Sequence, residues 1–234
     1  MSEFDAQQPQ ISDDELQVLR QRGRVLLLLD AAERAAVAPL STDKLHALAF
    51  LADVLSPVWH LSAFDKVVVK SSGGPFFPEL QREMDRLVAA GLLEVTNIRY
   101  VPRPHEGARI EGSYALRFGS PHLEDLLGRL GARGPEAALD ANDVRIHTFL
   151  VELAGALARL PADEIDRAAT SDVTYSDRAI DNNNLVYISP VAKPNRTVET
   201  AERFANFMPE GATLSPGEKL YLYATYLGRR VNAG

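Results

Sequence analysis

The stretch that decides the fold runs from Pro78 to Phe118: PELQREMDRLVAAGLLEVTNIRYVPRPHEGARIEGSYALRF. Pro78 suits the first position of a helix, where its missing N–H costs nothing. Leu80, Met84, Leu87 and Val88 then share one helical face, and Gly91 is a natural residue to close it. Residues 92–101 read as a strand, 102–108 as a loop and 109–118 as a second strand, so the helix feeds a β-hairpin. Working back toward the N-terminus, Ser71-Ser72-Gly73-Gly74-Pro75 is a turn cluster, and Val67-Val68-Val69 suit a short strand. Residues 42–55 are apolar on every helical face, through Leu45, Ala47, Leu48, Ala49, Phe50, Leu51, Ala52, Val54 and Leu55. A helix apolar all round is buried all round. A first helix is expected over 13–37, opened by a capping box at Ser12 and Glu15.

Helix, helix, helix, hairpin is the order of a winged helix-turn-helix. The expected fold class is therefore mainly α with a small β-hairpin wing. Residues 1–12 form a disordered arm, 13–118 a winged-helix domain and 119–234 a mostly helical C-terminal domain. In that second domain helices are expected over 120–131, 142–160, 161–169 and 197–207. A last one opens at Ser215-Pro216-Gly217-Glu218 and runs to about residue 230. Residues 171–195 read as an irregular loop, with a strand possible at 185–188.

Composition narrows the function. The chain has 234 residues, no cysteine, and 25 Lys+Arg against 32 Asp+Glu, a net charge of −7. Absent cysteine removes disulfides, thiolate metal sites and thiol nucleophiles. The most apolar run, Val25 to Leu29, is far short of the ~20 residues of a spanning helix. The acidic N-terminus does not read as a signal peptide. A cytoplasmic protein with no membrane segment is expected. No glycine loop is followed by the Lys-Ser/Thr that cradles phosphates. The five histidines, His46, His60, His105, His122 and His147, show no metal-ligand spacing. No Ser-His-Asp order or nucleophile elbow stands out. Neither catalysis nor a cofactor is expected. The most site-like cluster is Ser176, Asp177, Arg178, Asp181, Asn182, Asn183 and Asn184. It reads as a solvated loop, or as a cation or partner-contact site.

Charge by element bears on nucleic acid. The third helix and its flanks, 75–95, carry Arg82 and Arg86 against Glu79, Glu83, Asp85 and Glu94, or −2. Such a helix meets a duplex with net repulsion. The hairpin, 96–118, carries Arg99, Arg103, Arg109 and Arg117 against Glu106 and Glu111, or +2. Arg99, Arg103 and Arg109 are its candidate phosphate contacts, against a plain solvated hairpin. On the last helix, Leu220, Tyr223, Tyr226 and Leu227 share a face. They close the core or, since tyrosine is enriched at binding hot spots, form a partner surface.

Three runs, RVLLLLD (24–30), LHALAFLADVLSP (45–57) and GGPFFPELQREMDRL (73–87), resemble the middle component of bacterial ABC-three-component anti-phage systems, to which the Lamassu defence operons belong. The resemblance is clearest over 13–118 and rests on packing residues. It implies a small accessory subunit that sits on an SMC/Rad50-like ATPase and couples it to an effector, often a nuclease. Nucleotide and zinc-hook chemistry would belong to the ATPase and cutting to the effector, and DNA would be met through the complex. The rival expectation is a winged-helix transcription regulator or antitoxin.

Overall fold

The computed structural model describes residues 12–103, 107–161, 163–188 and 195–233. Apart from Ser12, the arm expected over 1–12 lies outside the described residues, as do His105 and Glu106.

The first helix, α1 (Asp13–Arg34), starts at the expected capping box. The Ser12 hydroxyl accepts from the Glu15 N–H, and the Glu15 carboxylate accepts from the Ser12 N–H. A short strand, β1 (Leu40–Ser41), leads into α2 (Thr42–Leu55) and then a 3-10 turn over Ser56–Trp59. Strands β2 (Val67–Ser71) and β3 (Gly74–Phe76) precede α3 (Pro78–Ala89), and β4 (Leu93–Arg103) with β5 (Gly107–Leu116) makes the hairpin. The hairpin is longer than the sequence suggested. Pro102 pairs with Ala108 and Arg103 with Gly107, so positions read as loop continue the ladder. Then follow α4 (Pro121–Arg129), α5 (Ala141–Leu157), α6 (Ile165–Thr170), β6 (Leu185–Tyr187), α7 (Arg196–Arg203) and α8 (Pro216–Ala233).

The molecule is mainly helical, with two small antiparallel sheets of three strands, ordered β1-β5-β4 and β3-β2-β6. The second sheet joins distant parts of the chain: Val67 pairs with Tyr187 and Val69 with Leu185. The segment 171–188 is thus held by a strand at its end.

Helix α2 is central, with every residue from Leu45 to Leu55 buried. Its polar residues are satisfied in place. His46 Nδ1 accepts from the Phe77 N–H at 3.2 Å and its Nε2 lies 3.3 Å from Gln81 Oε1. Burial pushes this imidazole down to about 3, so it is neutral. Asp53 faces the buried Arg24 of α1 at 2.7 Å, and Arg24 also donates to the Ala49 carbonyl and pairs with Asp65. A buried guanidinium is tolerable only with such partners.

Buried residues on both sides of residue 118 form one cluster, from Val25 and Phe50 to Phe149, Tyr223 and Val231. Further polar ties cross between the halves. The Asp30 carboxylate of α1 meets His147 at 2.8 Å and Arg133 at 2.9 Å. Asn195 Nδ2 donates to the Val54 carbonyl at 3.0 Å.

The stripe on α8 belongs to this core. Leu220, Tyr223 and Leu227 are all 0% exposed, packed toward α5, α6 and α7. Half-buried Tyr226 meets Phe204 edge-on and Tyr223 at a tilt. The partner-surface expectation for Leu220, Tyr223, Tyr226 and Leu227 is therefore corrected: the aromatic area is used internally. The Tyr223 hydroxyl donates at 2.6 Å to Asp172, which also accepts from the Thr197 hydroxyl and the N–H groups of Thr174 and Tyr175. Burial pushes the Asp172 carboxyl up, while the Tyr223 and Thr197 bonds pull it back.

Candidate interaction surface

The β4–β5 hairpin has two unlike faces. Cross-strand partners share a face, so Arg99 lies with Glu111, Val101 with Arg109, and Arg103 with Gly107 on one side. Tyr100 lies with Ile110 and Pro102 with Ala108 on the other, and strand alternation adds Ile98. The register shifts between Thr96 and Arg99, where Asn97 has a φ of 53°. Such a bulge bends the strand and turns the hairpin's outer half relative to its base.

The charged face points inward. Asp43, in the first turn of α2, takes Arg109 at 2.6 Å and also pairs with Arg103. Glu111 pairs with Arg103 from the facing strand. The Arg109 guanidinium lies 4.7 Å from the centre of the Phe76 ring, a cation–π contact. Arg103 rests on the β2–β3 turn, so close that a Cβ built on Gly73 would overlap its guanidinium. Burial pulls the Arg103 pKa down, but its bonds to Asp43 and Glu111 outweigh that and hold it above the ordinary arginine value. A pair of hydrogen bonds between Thr42 and Gly112 ties β5 to α2 as well.

This corrects the expectation for two of the three phosphate candidates. Arg103 and Arg109 are committed to carboxylates, with side chains 13% and 19% exposed. Arg99 is open, at 73%, and lies 3.8 Å from Glu111. On α3, Arg82 pairs with Glu79 and Arg86 with Glu83, which also holds Arg22 at 2.7 Å. The helix that would enter a groove thus has both arginines neutralised by its own acids.

The uncharged face points outward. Ile98 is 62%, Tyr100 76% and Ile110 52% exposed, with Pro102 and Ala108 exposed beside them. A surface hairpin ordinarily turns its apolar side to the core and its polar side to water. Here the arrangement is inverted. A contiguous apolar patch without charge is the usual mark of a protein-binding surface. The alternation that builds it was present in the sequence, but not which face would turn inward. Asp43 decides that, some 60 residues upstream of the arginines it holds.

The 177–184 segment does not gather ligands for a cation. Asp177 Oδ1 accepts from the Ala179 N–H at 2.9 Å in a turn of its own. Lys70 Nζ donates to the carbonyls of Asp177 and Ile180 at 2.8 and 2.6 Å, pinning the loop to β2. Asn183 takes the left-handed turn conformation, with φ of 67°. Among the described residues no group of three or more His, Asp or Glu could hold a metal ion. Nor is any described helix long and apolar enough to cross a membrane. Compared with protein-family models, curated proteins and solved structures, the chain gives no significant match.

Proposed function

We propose that this chain is a non-catalytic accessory subunit that binds protein through the outer face of its hairpin. In the terms of the family it resembles, it would dock on an SMC/Rad50-like ATPase and couple it to an effector subunit, a nuclease for example, in cytoplasmic anti-phage or anti-plasmid defence. The observation that carries the reading is the inverted hairpin, with Ile98, Tyr100 and Ile110 open to solvent and the arginines locked beneath them. The element order also suits a winged helix: three helices before a hairpin, with β1 added beside β5. In this proposal the winged helix is a protein-docking module. The neutralised α3 supports that choice over a sequence-specific DNA reader, since base readout needs donors free to enter a groove.

The test pairs two measurements on the full chain. Co-expressed with an SMC-like ATPase from the same genome, the protein should co-purify as a stoichiometric complex. Titrated alone with labelled duplexes at about 150 mM salt, it should bind weakly and without sequence choice. A sequence-selective complex near the ~10⁻⁸ M of specific binders, with no ATPase complex, would overturn the proposal in favour of a transcription regulator or antitoxin.

A further inference from the structure

A second basic surface lies in the C-terminal half, where the cluster at Ser176, Asp177 and Arg178 meets two distant arginines. Three arginines from separate segments line one open cleft of about 340 Å³: Arg178 from the turn after α6, Arg196 at the start of α7 and Arg230 near the end of α8. Val173, Ser176 and Asp177 complete its lining.

The charges in this cleft are not balanced. Asp177 is the single carboxylate of the lining, and its Oδ2 sits 3.5 Å from Arg196 Nη1, a long contact with both partners partly in water. Arg230 has no carboxylate partner among the described residues. It donates to the Tyr226 hydroxyl at 2.9 Å, reaches Ser176 Oγ at 3.4 Å and lies over the Tyr226 ring. Those contacts orient the guanidinium without neutralising it. Arg178 is exposed and has no ion pair among the described residues. Behind the loop, Lys70 adds a fourth positive charge through its bonds to the Asp177 and Ile180 carbonyls. The nearest buried acid, Asp172, faces away into Thr197 and Tyr223. Three like charges around one cleft, in a chain of net charge −7, make a local positive field that attracts an anion.

We infer that this cleft binds a diphosphate or triphosphate group. Guanidiniums present paired N–H donors that match phosphoryl oxygens, and Ser176 adds a hydroxyl at the same mouth. Two or three linked phosphoryl units offer more acceptor oxygens than a single phosphate to three guanidiniums that come from separate segments. The volume lies at the low end of small-molecule sites. The inference does not depend on the hairpin or on the proposed partner. Free pyrophosphate and the phosphate chain of a nucleotide share the chemistry.

Isothermal titration of the full chain at fixed ionic strength tests it, with sodium pyrophosphate and ATP as separate probes. Pyrophosphate should bind one to one. Arg178→Gln with Arg196→Gln should weaken it by about tenfold or more, as expected for lost charge-assisted bonds. Arg20→Gln on the exposed side of α1 should leave it unchanged. ATP binding through the same arginines identifies the nucleotide source, and pyrophosphate binding without ATP identifies the free ion; either supports the site. No heat beyond that of chloride at equal ionic strength overturns it. So does an affinity that survives the double substitution while melting temperature is unchanged, or uptake of a duplex oligonucleotide through these arginines when both small probes fail.

Discussion

The hairpin and the 178/196/230 cleft each concentrate arginine, and they use it in opposite ways. In the hairpin, Arg103 and Arg109 stand opposite Asp43 and Glu111, so two of the four arginines in a segment that counts as +2 along the sequence are tied to carboxylates. In the cleft, the single carboxylate of the lining, Asp177, reaches Arg196 alone, at 3.5 Å, so positive charge stays available on an acidic chain. Counting charge by segment therefore ranks these two surfaces in the wrong order. Local arginine density reports where ion pairs are affordable. Free charge depends on which carboxylates the fold brings within reach.

The sharpest way to break the comparison is to strip the hairpin of its acids. Asp43→Ala leaves two mostly buried guanidiniums short of a partner. It should cost about 2–4 kcal/mol, somewhat below the figure for a fully buried pair because both arginines still touch water. Urea denaturation reads this directly, and Arg99→Ala should cost less than about 0.5 kcal/mol by the same measurement. Equal losses for the two would mean that Arg103 and Arg109 are as loosely held as Arg99.

A smaller effect probes the same lock from the other side. Gly73 has no strained φ, but the Arg103 guanidinium lies against it, so an added methyl must displace that side chain. Gly73→Ala should cost about 1–3 kcal/mol by forcing that side chain out of its bonds to Asp43 and Glu111. If Arg103 simply swings into solvent, the substitution is neutral in denaturation, and the hairpin is not anchored at this turn.

These two positions also show how far sequence reasoning reaches. The capping box at Ser12, the buried α2, the Pro78 helix start and the existence of the hairpin are local signals, and each was legible. Periodicity and end-capping need only neighbouring residues. The pairing of β6 with β2 and the Asp43 lock join residues 60 to 120 apart, and the arginine cleft brings Ser176 to Arg230, 54 residues on; no local pattern encodes them. The α8 stripe is an intermediate case. Its shared face was readable from spacing, but a buried and an exposed aromatic face look alike until Asp172 and Phe204 are seen beside Tyr223.

The smallest expected change in stability belongs to the most consequential substitution. Ile98, Tyr100 and Ile110 contact little within the chain, so replacing all three by threonine, which keeps the preference for a strand, should barely move the melting temperature. The central claim is that this face is where protein binds. Affinity of the triple variant for an SMC-like ATPase, the partner proposed above, measured by titration beside the unaltered chain, tests it most directly. The account expects a fall of about tenfold or more, as for loss of an aromatic anchor and its apolar neighbours, with melting unchanged. An affinity equal to that of the unaltered chain would contradict it.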